Sequence, residues 1–159
     1  MDNILIRRQD RLLGEERATE LLETSEYGFL SLGVGDDGYA YGVPLNYVYD
    51  RKANVLYFHC APEGHKLENL KRNKNVSFCV VGKTSTFSEK FTTLYESVMV
   101  FGTVDINLSN AEKRTALSEL VRKYSPGCVE TGGVYIEKSL DRTLALKITI
   151  EKITAKAKA

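Results

Sequence analysis

The apolar and polar residues change period several times along the chain, and each change marks an element. Over residues 14–24, Ala18, Leu21 and Leu22 recur at helical spacing among Glu15, Glu16, Arg17, Glu20 and Glu23, which predicts a short amphipathic helix with an acidic first turn suited to its dipole. Tyr27-Gly28-Phe29-Leu30-Ser31-Leu32 then reads as a strand, Gly35-Asp36-Asp37-Gly38 as a reversal, and residues 39–49 as a long extended partner. After a second turn at 50–54, the β-rich run 55–59 follows directly. Three strands in succession with short connections predict an antiparallel meander, not a β-α-β unit.

A helical stretch over 65–72, with Leu67 and Leu70 three apart, interrupts the sheet before Val76–Val81 resumes it. Residues 82–92 are expected to be a polar loop. The long β-branched run 94–106 contains Gly102, and a glycine inside a strand marks a bulge or a sharp bend such as a barrel corner. Ser109-Asn110-Ala111-Glu112 has the spacing of a capping box and opens a helix that stops near Ser125-Pro126-Gly127. Residues 128–138 show no period and are expected to be irregular, and 143–153, where Leu144, Leu146, Ile148 and Ile150 alternate with polar partners, close the chain as a half-buried strand. Six strands with peripheral helices, and no strand–crossover alternation, predict a mainly β (α+β) fold built on a small antiparallel barrel.

Composition narrows the classes. The 159 residues, 43% of them hydrophobic, suffice for one domain spanning 1–159. A net charge of +1 gives no bulk field toward nucleic acid or an acidic membrane, so neither is an expected partner. No apolar run reaches the roughly 18 residues of a membrane span, and the start lacks the charged-then-apolar order of a secretory signal, so a cytoplasmic location is expected. Cys60, Cys79 and Cys128 are odd in number and without CxxC spacing, and read as free thiols.

Three segments carry candidate chemistry. In Tyr57–Leu67 a strand ends in a tight loop with Gly64, and His65 and Lys66 open a helix. Unsatisfied N–H groups at a helix start, with a lysine beside them, suit a phosphate; a turn glycine and a solvated lysine fit the same pattern. Ser97 stands in the otherwise apolar strand around Tyr95-Glu96-Ser97-Val98, where its hydroxyl needs a partner, either a ligand or a backbone carbonyl. Pro44, within Val43-Pro44-Leu45-Asn46, interrupts a ladder and leaves neighbouring backbone groups free for a ligand, or marks an edge strand. A metal site of His59, Cys60 and His65 is discounted, because successive strand side chains point to opposite faces.

The order and spacing of these segments, with Ile6-Arg7-Arg8-Gln9-Asp10-Arg11, Tyr27–Leu32, 43–50, Tyr57-Phe58-His59-Cys60-Ala61, Gly64-His65-Lys66 and Tyr95–Val98 before Gly102, resemble the pyridoxamine 5'-phosphate oxidase-like FMN-binding proteins, in the branch that contains the nitroimidazole-resistance proteins. The resemblance spans nearly the whole chain. It implies a split-barrel homodimer with FMN in two equivalent interface clefts. Val43, Pro44, Leu45 and Asn46 would lie along the isoalloxazine, and His59, Cys60 and Ala61 would line the ring and ribityl region. Lys66 would pair with the phosphate, assisted by His65 and Ser97. It also makes His59 the candidate proton donor, although a histidine hydrogen-bonded in the barrel wall fits equally. The function implied is an FMN-dependent oxidoreductase that passes electrons from NAD(P)H to a small planar acceptor such as a nitroaromatic or quinone. The alternatives are a pyridoxamine-phosphate oxidase, for which no second arginine cluster is visible, and a non-catalytic flavin or haem carrier.

Overall fold

The computed structural model describes residues 6–35 and 38–159. Among them, four α-helices surround one antiparallel sheet: α1 (Glu15–Thr24), β1 (Tyr27–Val34), β2 (Ala40–Asn46), β3 (Val48–Asp50), β4 (Val55–Cys60), α2 (His65–Arg72), β5 (Asn75–Phe87), β6 (Thr92–Asp105), α3 (Asn110–Tyr124), α4 (Val129–Ser139) and β7 (Leu144–Lys158). The strand order is β2-β1-β5-β6-β7-β4-β3. The sheet's two edges, β2 and β3, are consecutive in sequence and joined by Tyr47 alone, so the sheet must curl until its edges meet. The result is a barrel with an open seam, along which β2 faces β4.

The strand count is seven where the sequence suggested six, because the extended run 39–49 breaks at Tyr47. That residue is fully buried, its hydroxyl donates to the Leu22 carbonyl at 2.7 Å, and its backbone N–H donates to the Tyr124 hydroxyl at 2.9 Å instead of to a strand. Residues 82–92 are not a loop throughout: β5 continues to Phe87 and pairs with β6 from Thr92, past a register shift between Val81 and Thr84. Residues 128–138 are not irregular but mostly α4, whose Ile136 packs with Leu117 and Leu120 of α3. Strand β7 runs on to Lys158. Of the predicted reversal at 35–38, Asp36 and Asp37 lie outside the described residues.

Period-two burial fills the barrel interior with Leu30, Phe58, Phe78, Val80, Val98, Val100, Leu146 and Ile148. Tyr47, Phe58 and Phe78 form a tilted and edge-on aromatic cluster, with centroids 4.8–6.3 Å apart. One barrel end is stopped by Ala18, Leu21 and Leu22 of α1, pinned by a two-point Arg17–Glu96 ion pair at 2.8 and 2.9 Å. Leu67 and Leu70 of α2 fill the other end, where Asn69 donates to the Gly33 carbonyl. Outside the barrel, α3 covers Val55, Tyr57 and Ala145 through Ala116. Among the described residues, no helix lies over the outer face of β2, β1, β5 and β6, where Tyr27, Phe29, Val81 and Met99 are exposed. There the register aligns Pro44, Phe29, Cys79 and Met99 in one row, flanked by Tyr27 and Val81.

Candidate functional site

The seam gathers most of the predicted site residues. At one end β4 finishes at Cys60, and Gly64 turns the chain into α2 with φ +125°, a conformation that glycine alone adopts without strain. Among the described residues no side chain caps α2, which leaves its first N–H groups without a side-chain partner, with Lys66 in the same turn. Burial raises the pKa of the Cys60 thiol, and the positive charge of Lys66 nearby offsets part of that rise. His65 packs edge-on against Tyr41 of β2, with ring centroids 4.6 Å apart, so α2 and β2 meet across the seam.

Along β2 the side chains alternate. Tyr41 and Leu45 pack on the core, whereas Pro44 and Asn46 are exposed. Pro44 sits opposite Phe29 on a true edge strand, where its missing N–H breaks no interior ladder. Asn46 donates to the Glu26 carbonyl at 3.1 Å.

His59 and Cys60 point to opposite sides of β4, as adjacent strand residues must. Cys60 faces the core and Lys66; His59 faces outward into a cleft of about 380 Å³ between the seam and α3–α4. Burial first, and Lys66 second, push the His59 pKa below its ordinary value, which favours the neutral imidazole. Asn46 shares this cleft with His59, and the roof is apolar: Leu117, Leu120 and Val121 of α3 with Ile136 of α4.

Tyr124, also in the cleft, is a residue that sequence reasoning missed. Its hydroxyl accepts from the Tyr47 N–H and lies 2.7 and 2.5 Å from the Tyr47 and Glu26 carbonyls, one of which takes its proton. It therefore ties α3 to the point where the two sheet edges join. No local pattern announces this, because the partners are backbone atoms 77 and 98 residues away.

Ser97 is not brought to the seam within one protomer. It is half-buried, pairs with Val81 and Lys156, and lies three strands from β2, about 14 Å at normal strand spacing. Ala61, in the exposed loop after β4, adjoins the seam, and Val43 is half-buried on β2.

Comparison with known proteins agrees with this architecture. A likeness of fold is seen with a candidate 5-nitroimidazole antibiotic resistance protein of Bacteroides thetaiotaomicron, at 24% identity and TM-score 0.72 over 92% of this chain and 86% of that one. An FAD and haem binding protein of Mycobacterium smegmatis matches at 22% identity and TM-score 0.71, over 91% and 71% of the two chains. An FAD-binding protein of Mesorhizobium loti matches at 23% identity and TM-score 0.62, over 94% and 98%. No curated protein matches in sequence. Residues 14–157 match the family model described as pyridoxamine 5'-phosphate oxidase, and the chain belongs to that family.

Proposed function

We propose that the chain is an FMN-binding flavoprotein, active as a homodimer, that passes electrons from NAD(P)H to a small planar acceptor of the nitroaromatic or quinone kind. The observation that carries this reading is the uncapped start of α2, with Gly64 and Lys66 placed at the end of an open seam. The group fits there on chemical grounds: N–H donors and an ammonium suit a dianionic phosphate. The backbone of β2 from Val43 to Asn46 offers an edge for the polar rim of a flavin ring, and Cys60 and Ala61 flank the path between. The two FAD-binding neighbours support a flavin, and family membership supports the smaller FMN. Bound flavin would supply the hydride and electron chemistry, while the protein orients it and governs access.

Within that site, neutral His59 can donate a hydrogen bond or, when transiently protonated, a proton to an acceptor in the cleft. The test is the absorption spectrum of freshly purified protein, with identification of the released ligand. Flavin bands with FMN at about one per subunit are expected, and Lys66→Ala should weaken FMN at least tenfold while leaving riboflavin nearly unchanged. A colourless protein that takes up no FMN overturns the reading, and a Soret band would assign the seam to haem.

A further inference from the structure

Strands β5 and β6 run on beyond the barrel as a two-stranded ribbon. Past Val81, β5 pairs only with β6, and a 3-10 turn over Ser88–Lys90 closes the ribbon. Phe91, which ends that turn, has φ +48° and is 97% exposed. Both features are unfavourable for a phenylalanine, because a Cβ is crowded at positive φ and an apolar ring in water buries nothing. Glycine or asparagine would close the turn with less strain, so the turn itself does not explain an aromatic residue here.

Beside the ring lies an open cavity of about 650 Å³, a size that suits a small ligand. Arg11 and Lys158 bring two positive charges to it, and Ser88, Thr92 and Tyr95 bring hydroxyls. The Lys158 ammonium is steadied by a hydrogen bond to the Thr92 hydroxyl. Among the described residues, neither cation forms an ion pair and no aspartate or glutamate lines the cavity. Asp10 feels the charge of Arg11, but both its oxygens are taken by Arg8 in a two-point pair. The cavity shares no residue with the α3–α4 cleft or with the start of α2.

A phosphate monoester carries up to two negative charges near neutral pH and accepts hydrogen bonds on three oxygens, which matches a guanidinium, an ammonium and hydroxyls gathered in one place. A flat ring attached to it would stack on Phe91 and cover the apolar surface. A bare anion leaves the ring unused, and an uncharged ring leaves the cations unused. We infer that this cavity binds a nucleotide, its phosphate held by Arg11 and Lys158 and its base stacked on Phe91. The inference does not rest on the flavin reading. A free mononucleotide and the 2'-phosphoadenosine end of NADPH share this chemistry.

The experiment titrates AMP, adenosine and inorganic phosphate at pH 7 into the protein, with and without added FMN. Calorimetry gives the affinities, and the backbone amide signals of residues 86–93 give the place. AMP should bind saturably in both forms, more tightly than either fragment and less tightly as salt is raised. It should move the signals of 88–93 and leave those of 64–67 unmoved. Arg11→Gln and Lys158→Gln should each weaken AMP about fivefold or more. Phe91→Gly removes the ring and relieves the positive φ, so it should keep thermal stability while lowering AMP affinity about fivefold or more, toward that of inorganic phosphate. NADP+ binding more tightly than AMP would assign the ligand as the reductant, and weaker binding would assign a free nucleotide; either supports the inference.

No binding of AMP, inorganic phosphate binding as tightly as AMP, or signals moving at 64–67 in place of 88–93 overturns it. So does AMP binding that vanishes once FMN is loaded, because the cations then belong to the flavin phosphate. A Phe91→Gly chain with unchanged AMP affinity and a changed oligomeric state also overturns it, and makes Phe91 a contact between copies. Failure of the flavin reading is distinct: FMN is then not taken up, whatever the AMP titration gives.

Discussion

Near the C-terminal end of α3, the Lys123 ammonium is buried with no hydrogen-bond partner and lies 4.1 Å from the Tyr47 ring centroid and 5.4 Å from that of Tyr124. The two rings offset part of its lost hydration, yet burial still lowers its pKa to about 8. The folded chain therefore holds this proton less tightly than the unfolded chain, where lysine titrates near 10.4. Stability should rise as pH climbs from 8 to about 10.4, the window in which only the unfolded state pays to lose the proton. Lys123→Met is expected to stabilise the fold at pH 7 by about 1 kcal/mol and to abolish that alkaline rise, as urea unfolding at pH 7 and pH 10 would show. His59 has the same sign at lower pH. Its folded pKa lies below the usual 6.5, so stability is full above that value and is lost as pH falls from it toward the folded pKa. An NMR titration should place the His59 midpoint below 6.5, and a midpoint above 6.5 would show that burial and Lys66 do not govern this imidazole.

Among the elements, the bend in β6 shows how one position can fix a strand's path. The register slips between Phe101 and Gly102, and a Cβ at Gly102 would lie 2.1 Å from the Thr149 carbonyl oxygen of β7. The clash is with backbone, so no rotamer relieves it. Gly102→Ala should lose about 2–3 kcal/mol in urea unfolding, whereas Gly14→Ala, where nothing lies within 4 Å, should lose little. That bend was legible in the sequence because a glycine amid β-branched residues has few other uses. The start of α3 was legible too: Ser109 accepts from the Glu112 N–H, and the Glu112 carboxylate accepts from the Ser109 N–H. What local pattern could not reveal depends on distant partners. Gly132 and Gly133 weaken the helical signal of α4, and the helix exists because Gly132 lets it dock on Val121. The break at Tyr47 arises from Leu22 and Tyr124, far away in sequence. The site was legible on the same terms. Gly64, His65 and Lys66 are neighbours in sequence and stayed neighbours in space, whereas Tyr124 and the α3–α4 roof required the fold.

For the whole molecule, two observations converge on the proposed homodimer. The uncovered sheet face exposes Tyr27 at 62%, Val81 at 58% and Phe29 at 46% of their surface, a run of large apolar side chains that ordinarily marks an interaction surface. Ser97 belongs to the strand at the far side of that face, remote from Lys66 of its own protomer. A two-fold pairing of these faces would cover the apolar residues and could carry each Ser97 toward the partner's seam. Val81→Glu should then turn a dimer into a monomer by light scattering and weaken FMN binding in the same step. Subunit mixing separates a shared site from a local one. If Lys66 and Ser97 reach one phosphate from different subunits, a mixed dimer of Lys66→Ala and Ser97→Ala chains contains one site with both groups intact and one with neither. FMN affinity close to that of the natural chain should reappear in half the sites of such mixed dimers, although each variant alone binds weakly. If both groups served the cofactor from the same chain, every site in the mixture would lack one of them, and no tight site would return.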